Sequence, residues 1–448
     1  MSGSEPRFGT DGIRGVANRG LTAHLALKLG IAAAHVLSRH GVDRHVVVGR
    51  DTRLSGDMLE AALNAGLAAT GCRVTNVGVM PTPAVSRMVV LAGAAMGVVI
   101  SASHNPFEDN GIKLLGPNGR KLSDALEGEI EAALDVWETL PRPTGAEIGR
   151  IVSSRELVAE YVAHLTASSA VTLDGMSLVL DCANGATWAI APELFANLGA
   201  RVDVMHAAPD GANINHGCGS THPGDLAQRV RRNGADAGLA FDGDGDRVIM
   251  VDAGGRVVDG DRMMLVLAEG MRRRGELAHD TVVATVMSNA GFETALEAHG
   301  MRLVRTDVGD RYVAEAMDAM GAVLGGEQSG HVLMPRYTPT GDGMLTGLRV
   351  LAECRATGKP LSVLADGMET LPQVLRNVRL RDREAWKSDA TVAAMVSRAK
   401  AEVGHPEWVS VRASGTEPLV RVMVQDRDAA RVDRLVAGLV QALEEAGE

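Results

Sequence analysis

Residues 237–247 read Ala-Gly-Leu-Ala-Phe-Asp-Gly-Asp-Gly-Asp-Arg. The apolar run Ala237–Phe241 predicts a buried strand that runs straight into Asp242. Asp242, Asp244 and Asp246 stand at every second position, and three carboxylates so close would repel one another without a cation. Gly243 and Gly245 let their oxygens converge, which suits a hard cation such as Mg²⁺. An EF-hand calcium loop is excluded, because the sixth and twelfth positions hold Arg247 and Ala253 rather than Gly and Glu. Arg247 adds positive charge beside the carboxylates, where an anionic phosphate is welcome. Open α/β sheets build their sites at the carboxyl ends of strands, so the stretch predicts an α/β fold.

The same strand-then-loop grammar recurs on both sides. Gly97–Ile100 is apolar and delivers Ser101-Ala-Ser-His-Asn-Pro106 from its end. His45–Val48 leads into Gly49-Arg50-Asp51, a helix is predicted over Leu54–Leu67, and Arg73–Val77 forms the next strand. Ser177–Leu180 feeds Asp181-Cys-Ala-Asn-Gly185, and Arg201–Met205 follows a helical stretch. Val283–Val286 precedes a helix near Phe292–His299, and Ala322–Leu324 is predicted as a strand feeding Gly325-Gly-Glu-Gln-Ser-Gly-His331. The last stretch differs: strands Val409–Ala413 and Leu419–Val424 flank a turn, and a helix over Ala429–Glu445 closes a small α+β unit. Domains are expected at 1–150, 151–255, 256–370 and 371–448, with Pro141-Arg-Pro-Thr-Gly145 marking the first boundary.

Composition narrows the function. Of 448 residues 46% are hydrophobic but only 3% aromatic, so the core is built from aliphatic side chains, and disorder is excluded. A net charge of −11 argues against broad nucleic-acid binding, though a local Arg/Lys cluster can still hold a small anion. Cys72, Cys182, Cys218 and Cys354 show no CxxC spacing, which speaks against a disulfide framework or a zinc site. Met1–Arg7 lacks a signal-peptide core, and no apolar run reaches membrane-spanning length, so the expected location is cytoplasmic.

Four further segments carry chemistry. Ser103 by itself reads first as a cap or turn residue and only in company as a hydroxyl nucleophile; His104 beside it can donate to or accept from a phosphate. Lys113 is a surface lysine or a general acid/base that stabilises transferring charge. The glycine-dense segment Phe8–Gly15 carries Arg14. Glu327, Ser329 and His331 offer a carboxylate, a hydroxyl and an imidazole suited to sugar hydroxyls or an amino group. Arg412, Ser414, Gly415, Thr416 and Arg421 can cradle a phosphate, and a simple turn accounts for Gly415 and Pro418 but not for the flanking arginines. GxxxxGK[ST], GxGxxG, GxSxG and HExxH are all absent, which removes P-loop, dinucleotide, serine-hydrolase and zincin readings.

Taken in order, these motifs resemble the α-D-phosphohexomutase superfamily over essentially the whole chain. The resemblance implies three related mixed αβα sandwich domains and a smaller C-terminal α+β cap around a central cleft. It implies that Ser103 carries the phosphoryl group as phosphoserine. Asp242, Asp244, Asp246 and the Ser103 phosphate would hold one Mg²⁺, and Arg14, His104, Lys113 and Arg247 would surround the transferring group. Glu327, Ser329 and His331 would bind the sugar, and the Arg412–Arg421 segment would bind its non-reacting phosphate. Gln328 resembles the glucosamine branch, where the mannose and glucose branches more often carry another residue. The implied reaction interconverts glucosamine 6-phosphate and glucosamine 1-phosphate through glucosamine 1,6-bisphosphate, feeding UDP-N-acetylglucosamine synthesis. A phosphomannomutase/phosphoglucomutase on the same scaffold is the alternative. Hexosamine phosphates are the expected partners, with no nucleic acid or membrane, and a homodimer is left open.

Overall fold

A computed structural model describes residues 6–9, 11–41, 44–169, 171–380, 382, 385–413 and 419–447. The chain divides into two compact units, residues 1–267 with 329–364 and residues 268–328 with 365–448.

The first unit holds two mixed sheets. Strands β1 (Ile13–Val16), β2 (His45–Arg50), β3 (Arg73–Val79), β4 (Met96–Ile100), β5 (Asp109–Leu115) and β6 (Ile151–Ser153) form one, in the order β1-β5-β4-β2-β3-β6. β2, β3, β4 and β6 run parallel, while β5 turns back antiparallel to both β4 and β1. The near-continuous apolar runs of β2 and β4 follow from burial on both faces by helices. Helices Ala23–Arg39 and Ser55–Ala69 approach closely because Gly30 faces Leu63 and Gly66 faces Leu27, and any side chain at either glycine would meet backbone. Leu25, Leu29, Leu59, Leu63, Leu67 and Val98 fill this core, each fully buried side chain contributing roughly 1.5–3 kcal/mol.

The second sheet comprises β7 (Ser177–Asp181), β8 (Arg201–Met205), β9 (Ala237–Phe241), β10 (Val248–Asp252) and β11 (Val257–Val258), ordered β11-β10-β9-β7-β8. β7, β8 and β9 are parallel, and β10 returns beside β9, so residues 242–247 form the connection between two buried antiparallel neighbours. Residues 329–364 add a short strand, Val332–Leu333, and helix Gly343–Thr357. Asp342 caps that helix through Leu345 N at 3.0 Å and takes the Tyr161 hydroxyl at 2.8 Å.

The second unit has a parallel ladder in which Thr281–Thr285 lies between Arg302–Thr306 and Gly325–Gly326. The strand predicted at 322–324 is displaced to Gly325–Gly326, because Val283 N bonds Leu324 O and the register with Val283 begins only at Gly325. An antiparallel sheet of Gln373–Arg379, Leu419–Gln425 and Val409–Ala413, with the middle-named strand central, packs under helices Ala390–Val403 and Ala429–Gly447. Side chains join it to the parallel layer. Gln425 accepts from Ala290 N at 2.6 Å and donates to Ser288 O at 3.2 Å, while Asn289 exchanges bonds with Leu371.

Candidate active site

Ser103 lies just beyond the end of β4, 2% exposed and in the left-handed region at φ 51°. A non-glycine residue held there costs roughly 1–3 kcal/mol, and such strain collects at functional sites. Its Oγ donates to Asp242 Oδ2 at 2.7 Å and lies 3.3 Å from His104 Nδ1. β5 pairs with β4, and that pairing sets Lys113 opposite Val99. The buried Lys113 ammonium donates to Asp244 Oδ2 at 2.8 Å. Burial alone would pull Lys113 down, but Asp244 and then Asp246 outweigh it and hold the ammonium above its ordinary value.

The loop from β9 to β10 carries all three aspartates, and one oxygen from each lies within 4.8 Å of the others. A Cβ at Gly243 would stand 2.5 Å from Ser103 O, so only glycine lets this loop approach the Ser103 loop. Asp242 Oδ1 accepts from Arg247 N at 3.1 Å, which fixes the turn. Among the described residues, buried Asp244 Oδ1 and Asp246 Oδ1 have no hydrogen-bond donor. Burial, then repulsion from Asp246 and Asp244, lifts the Asp242 carboxyl well above its ordinary value. Orphaned carboxylate oxygens under mutual repulsion fit a bound hard cation, and this triad can hold one.

Basic side chains ring the same point. His331 Nδ1 is 3.5 Å from Asp246 Oδ1, and Arg247 Nε is 3.7 Å from it. Arg14, on β1 opposite Gly111, pairs with Asp11 at 3.3 Å, and Lys121 also reaches Asp11 at 2.5 Å. Burial would raise Asp11, but Lys121, Lys113 and Arg14 overcome it and hold the carboxyl far below its usual range. Burial, with Arg247 and Arg14 adding to it, pushes His104 down to about 4, so the ring is neutral near pH 7. The Arg14 and Arg247 guanidiniums and the Lys113 ammonium are complementary to a phosphoryl dianion.

In the second unit Arg412 and Arg421 are register partners across adjacent antiparallel strands, both half-buried. Burial and then Arg421 pull Arg412 below its ordinary value, with Asp307 and Glu327 countering. Two guanidiniums side by side call for an anion between them. Ser329 is exposed, in the turn before His331. Ser414, Gly415 and Thr416 lie outside the described residues.

Family models match nearly the whole chain: phosphoglucomutase/phosphomannomutase alpha/beta/alpha domain I over residues 5–140, domain II over 159–255, domain III over 259–371, and the C-terminal domain over 375–442. The chain belongs to the phosphoglucomutase/phosphomannomutase family. It is 51% identical over 433 residues to a phosphoglucosamine mutase of Moorella thermoacetica, covering 96% of this chain and 98% of that one. A phosphoglucosamine mutase of Desulforamulus reducens is 49% identical over 430 residues, covering 96% and 97%. The crystal structure of a phosphoglucomutase/phosphomannomutase family protein from Burkholderia thailandensis superposes with a TM-score of 0.81 at 26% identity, covering 98% and 97%.

The phosphohexomutase architecture, mixed sheets layered with helices, is therefore the one that the resemblance implied. In this member of the family the structure gathers Ser103, His104, Lys113, Asp242, Asp244, Asp246, Arg247 and His331 in one unit. His331, expected among sugar ligands, stands at the aspartate loop, its ring seated against Gly341.

Two contributors escaped the sequence reading. Thr82, at the start of helix Thr82–Leu91, donates to Asp244 Oδ2 at 2.6 Å, and Asn215 donates to Ser103 O at 2.9 Å. Neither is local in sequence to a chemical motif, so only the fold reveals them. Asp181, His206 and Cys218 form a second group of metal-ligating types. There Asp181 is engaged by Ala183 N and Gly219 N, both at 2.9 Å, and pairs with His206 at 3.0 Å, as an anchor for the turns around it.

Proposed function

We infer that the protein interconverts glucosamine 6-phosphate and glucosamine 1-phosphate, the isomerase activity that its half-identical, full-length relatives are named for. One observation carries the chemistry: a buried serine hydroxyl 2.7 Å from the first carboxylate of a buried aspartate triad, with Lys113 bound to the second. In this reading Ser103 is phosphorylated, and Asp242, Asp244, Asp246 and the phosphate hold Mg²⁺, which supplies charge neutralisation for phosphoryl transfer. The sugar's free oxygen takes the phosphoryl group as the bond to Ser103 Oγ breaks. Over that half-reaction the sugar hydroxyl loses a proton and Ser103 gains one. The product is glucosamine 1,6-bisphosphate, and return of its other phosphate to Ser103 completes the exchange.

Lys113, Arg14 and Arg247 are assigned to charge stabilisation, with Lys113, held protonated, also able to give up a proton. Neutral His104 accepts from or donates to the phosphoryl oxygens. Glu327 and Ser329 are assigned to the sugar side, His331 to the side of the sugar nearest the aspartate loop, and Arg412 and Arg421 to the non-reacting phosphate with residues 414–416. Domain boundaries are proposed near 150, 255 and 370. The protein is assigned to the cytoplasm, with the product passing towards UDP-N-acetylglucosamine.

The test is a comparison of kcat/KM for the 1-phosphates of glucosamine, glucose and mannose, with Ser103→Ala alongside. Glucosamine phosphate is expected to lead, and Ser103→Ala to lose on the order of 10⁴-fold in kcat or more while staying folded. A lead for mannose or glucose phosphate overturns the substrate, and substantial turnover by Ser103→Ala overturns the carrier.

A further inference from the structure

The Ser103 peptide is gripped from behind by a group absent from the chemistry above. Arg53 follows β2, and its side chain is fully buried. The guanidinium has five N–H bonds in a rigid fork, and here it finds five acceptor contacts. Nε donates to Asp51 Oδ2 at 2.9 Å. Nη2 donates to Ser103 O at 3.0 Å and to Asn105 O at 2.9 Å. Nη1 donates to Asp109 O at 3.0 Å and to Pro106 O. Four carbonyls of one loop therefore converge on one planar cation.

Asp51 completes the device. Its Oδ1 accepts from Arg53 N at 2.9 Å and its Oδ2 from Ser101 Oγ at 2.6 Å. Ser101 Oγ in turn accepts from Ser103 N at 3.0 Å. Ser103 is thus held at its N–H through Ser101 and at its carbonyl by Arg53 and Asn215, and so kept in its left-handed conformation. The partner carboxylate of Asp51 offsets the charge of Arg53, so what Arg53 supplies is direction. It fixes the course of the backbone that carries Ser103.

We propose that Arg53 is a positioning residue for phosphoryl transfer: by holding the backbone of the Ser103 segment it sets where Ser103 Oγ stands against Asp242. The inference rests on Ser103 being the carrier. Lysine, with three donors on one rotating point, cannot reproduce the fork.

The experiment uses the full-length enzyme with Mg²⁺ and glucosamine 1,6-bisphosphate as the loading reagent. Arg53→Lys, Arg53→Ala and the smaller cut Ser101→Ala are compared with wild type, and phosphate on Ser103 is mapped in each. Arg53→Lys is expected to lose about 100-fold in kcat, the scale of a misplacement near 1 Å. KM should stay within about threefold, because the groups assigned to the sugar are untouched. Added guanidinium should restore part of the Arg53→Ala rate, which loss of mere stability would not allow. Folded Arg53→Lys with wild-type kcat overturns the proposal, as does a loss confined to KM. If both Arg53 variants fail to fold, Ser101→Ala decides: a lowered kcat at constant KM supports the device, and an unchanged kcat overturns it. Wild-type turnover with no phosphate on Ser103 instead sinks the carrier reading, and this inference with it.

Discussion

Asp342 shows how a single buried carboxyl reports on its surroundings. It is fully buried, accepts from Tyr161 and Leu345, and lies in the field of Asp246. Burial lifts it to about 6, against an ordinary value of 3.8. The folded state therefore keeps this proton until higher pH than the unfolded chain does. Between pH 4 and 6 the unfolded chain releases the proton first, so the folded state loses stability as pH rises through that window and carries the full cost above it. With about 1.4 kcal/mol per unit, the cost is roughly 3 kcal/mol at pH 8. Asparagine keeps the helix cap and an acceptor for Tyr161 without ionising. Asp342→Asn is expected to gain on wild type by roughly 3 kcal/mol in unfolding free energy between pH 4 and pH 8. Urea melts of both proteins across that range check it; a pH-independent difference would show that the carboxyl is not held protonated.

At the scale of elements, what counts is how near two loops can come. The β9–β10 turn reaches the Ser103 loop because Gly243 has no side chain, its Cβ position being 2.5 Å from Ser103 O. Gly243→Ala must push the loops apart, so it is expected to cost about 1–3 kcal/mol of stability and most of the activity. Gly128 is the control: it lies in helix Asp124–Asp135 with nothing within 4 Å, so Gly128→Ala should stabilise by roughly 0.5–1 kcal/mol. Thermal melts and initial rates measure both, and equal effects at the two glycines would remove the steric argument.

The same loops show what sequence alone could read. The Asp242–Asp246 spacing and the strand before it were legible because ligand density and an apolar run are local patterns. β8, β9 and the strand Val409–Ala413 fell at their expected bounds for the same reason. Thr82 and Asn215 were not legible, since each reaches its partner across more than 100 residues of chain. The displaced strand at Gly325–Gly326 escaped because glycine carries no strand signal, and only pairing with Val283 defines it. Groups that a fold merely brings near, as the His331 imidazole to Asp246, also leave no trace in spacing.

Across the whole molecule, the two units carry opposite chemistry. The first contains Ser103 and the three aspartates, a group of oxygens able to hold a divalent cation. The second contains the Arg412–Arg421 pair and has its own hydrophobic core, from Leu371 and Val378 through Leu443. A ligand that binds only the folded state stabilises what it binds by mass action, about 2.7 kcal/mol at a hundred times Kd. Mg²⁺ should therefore slow opening of the first unit and leave the second to its own local equilibrium. Hydrogen exchange with and without Mg²⁺ tests this directly. Amides of Ala237–Phe241 and Val248–Asp252 are expected to gain protection, while those of Gln373–Arg379 and Leu419–Gln425 stay unchanged. Equal slowing in both sets would mean that the chain opens as one cooperative body. Protection gained only in the second set would place the cation away from the aspartates and overturn the site itself.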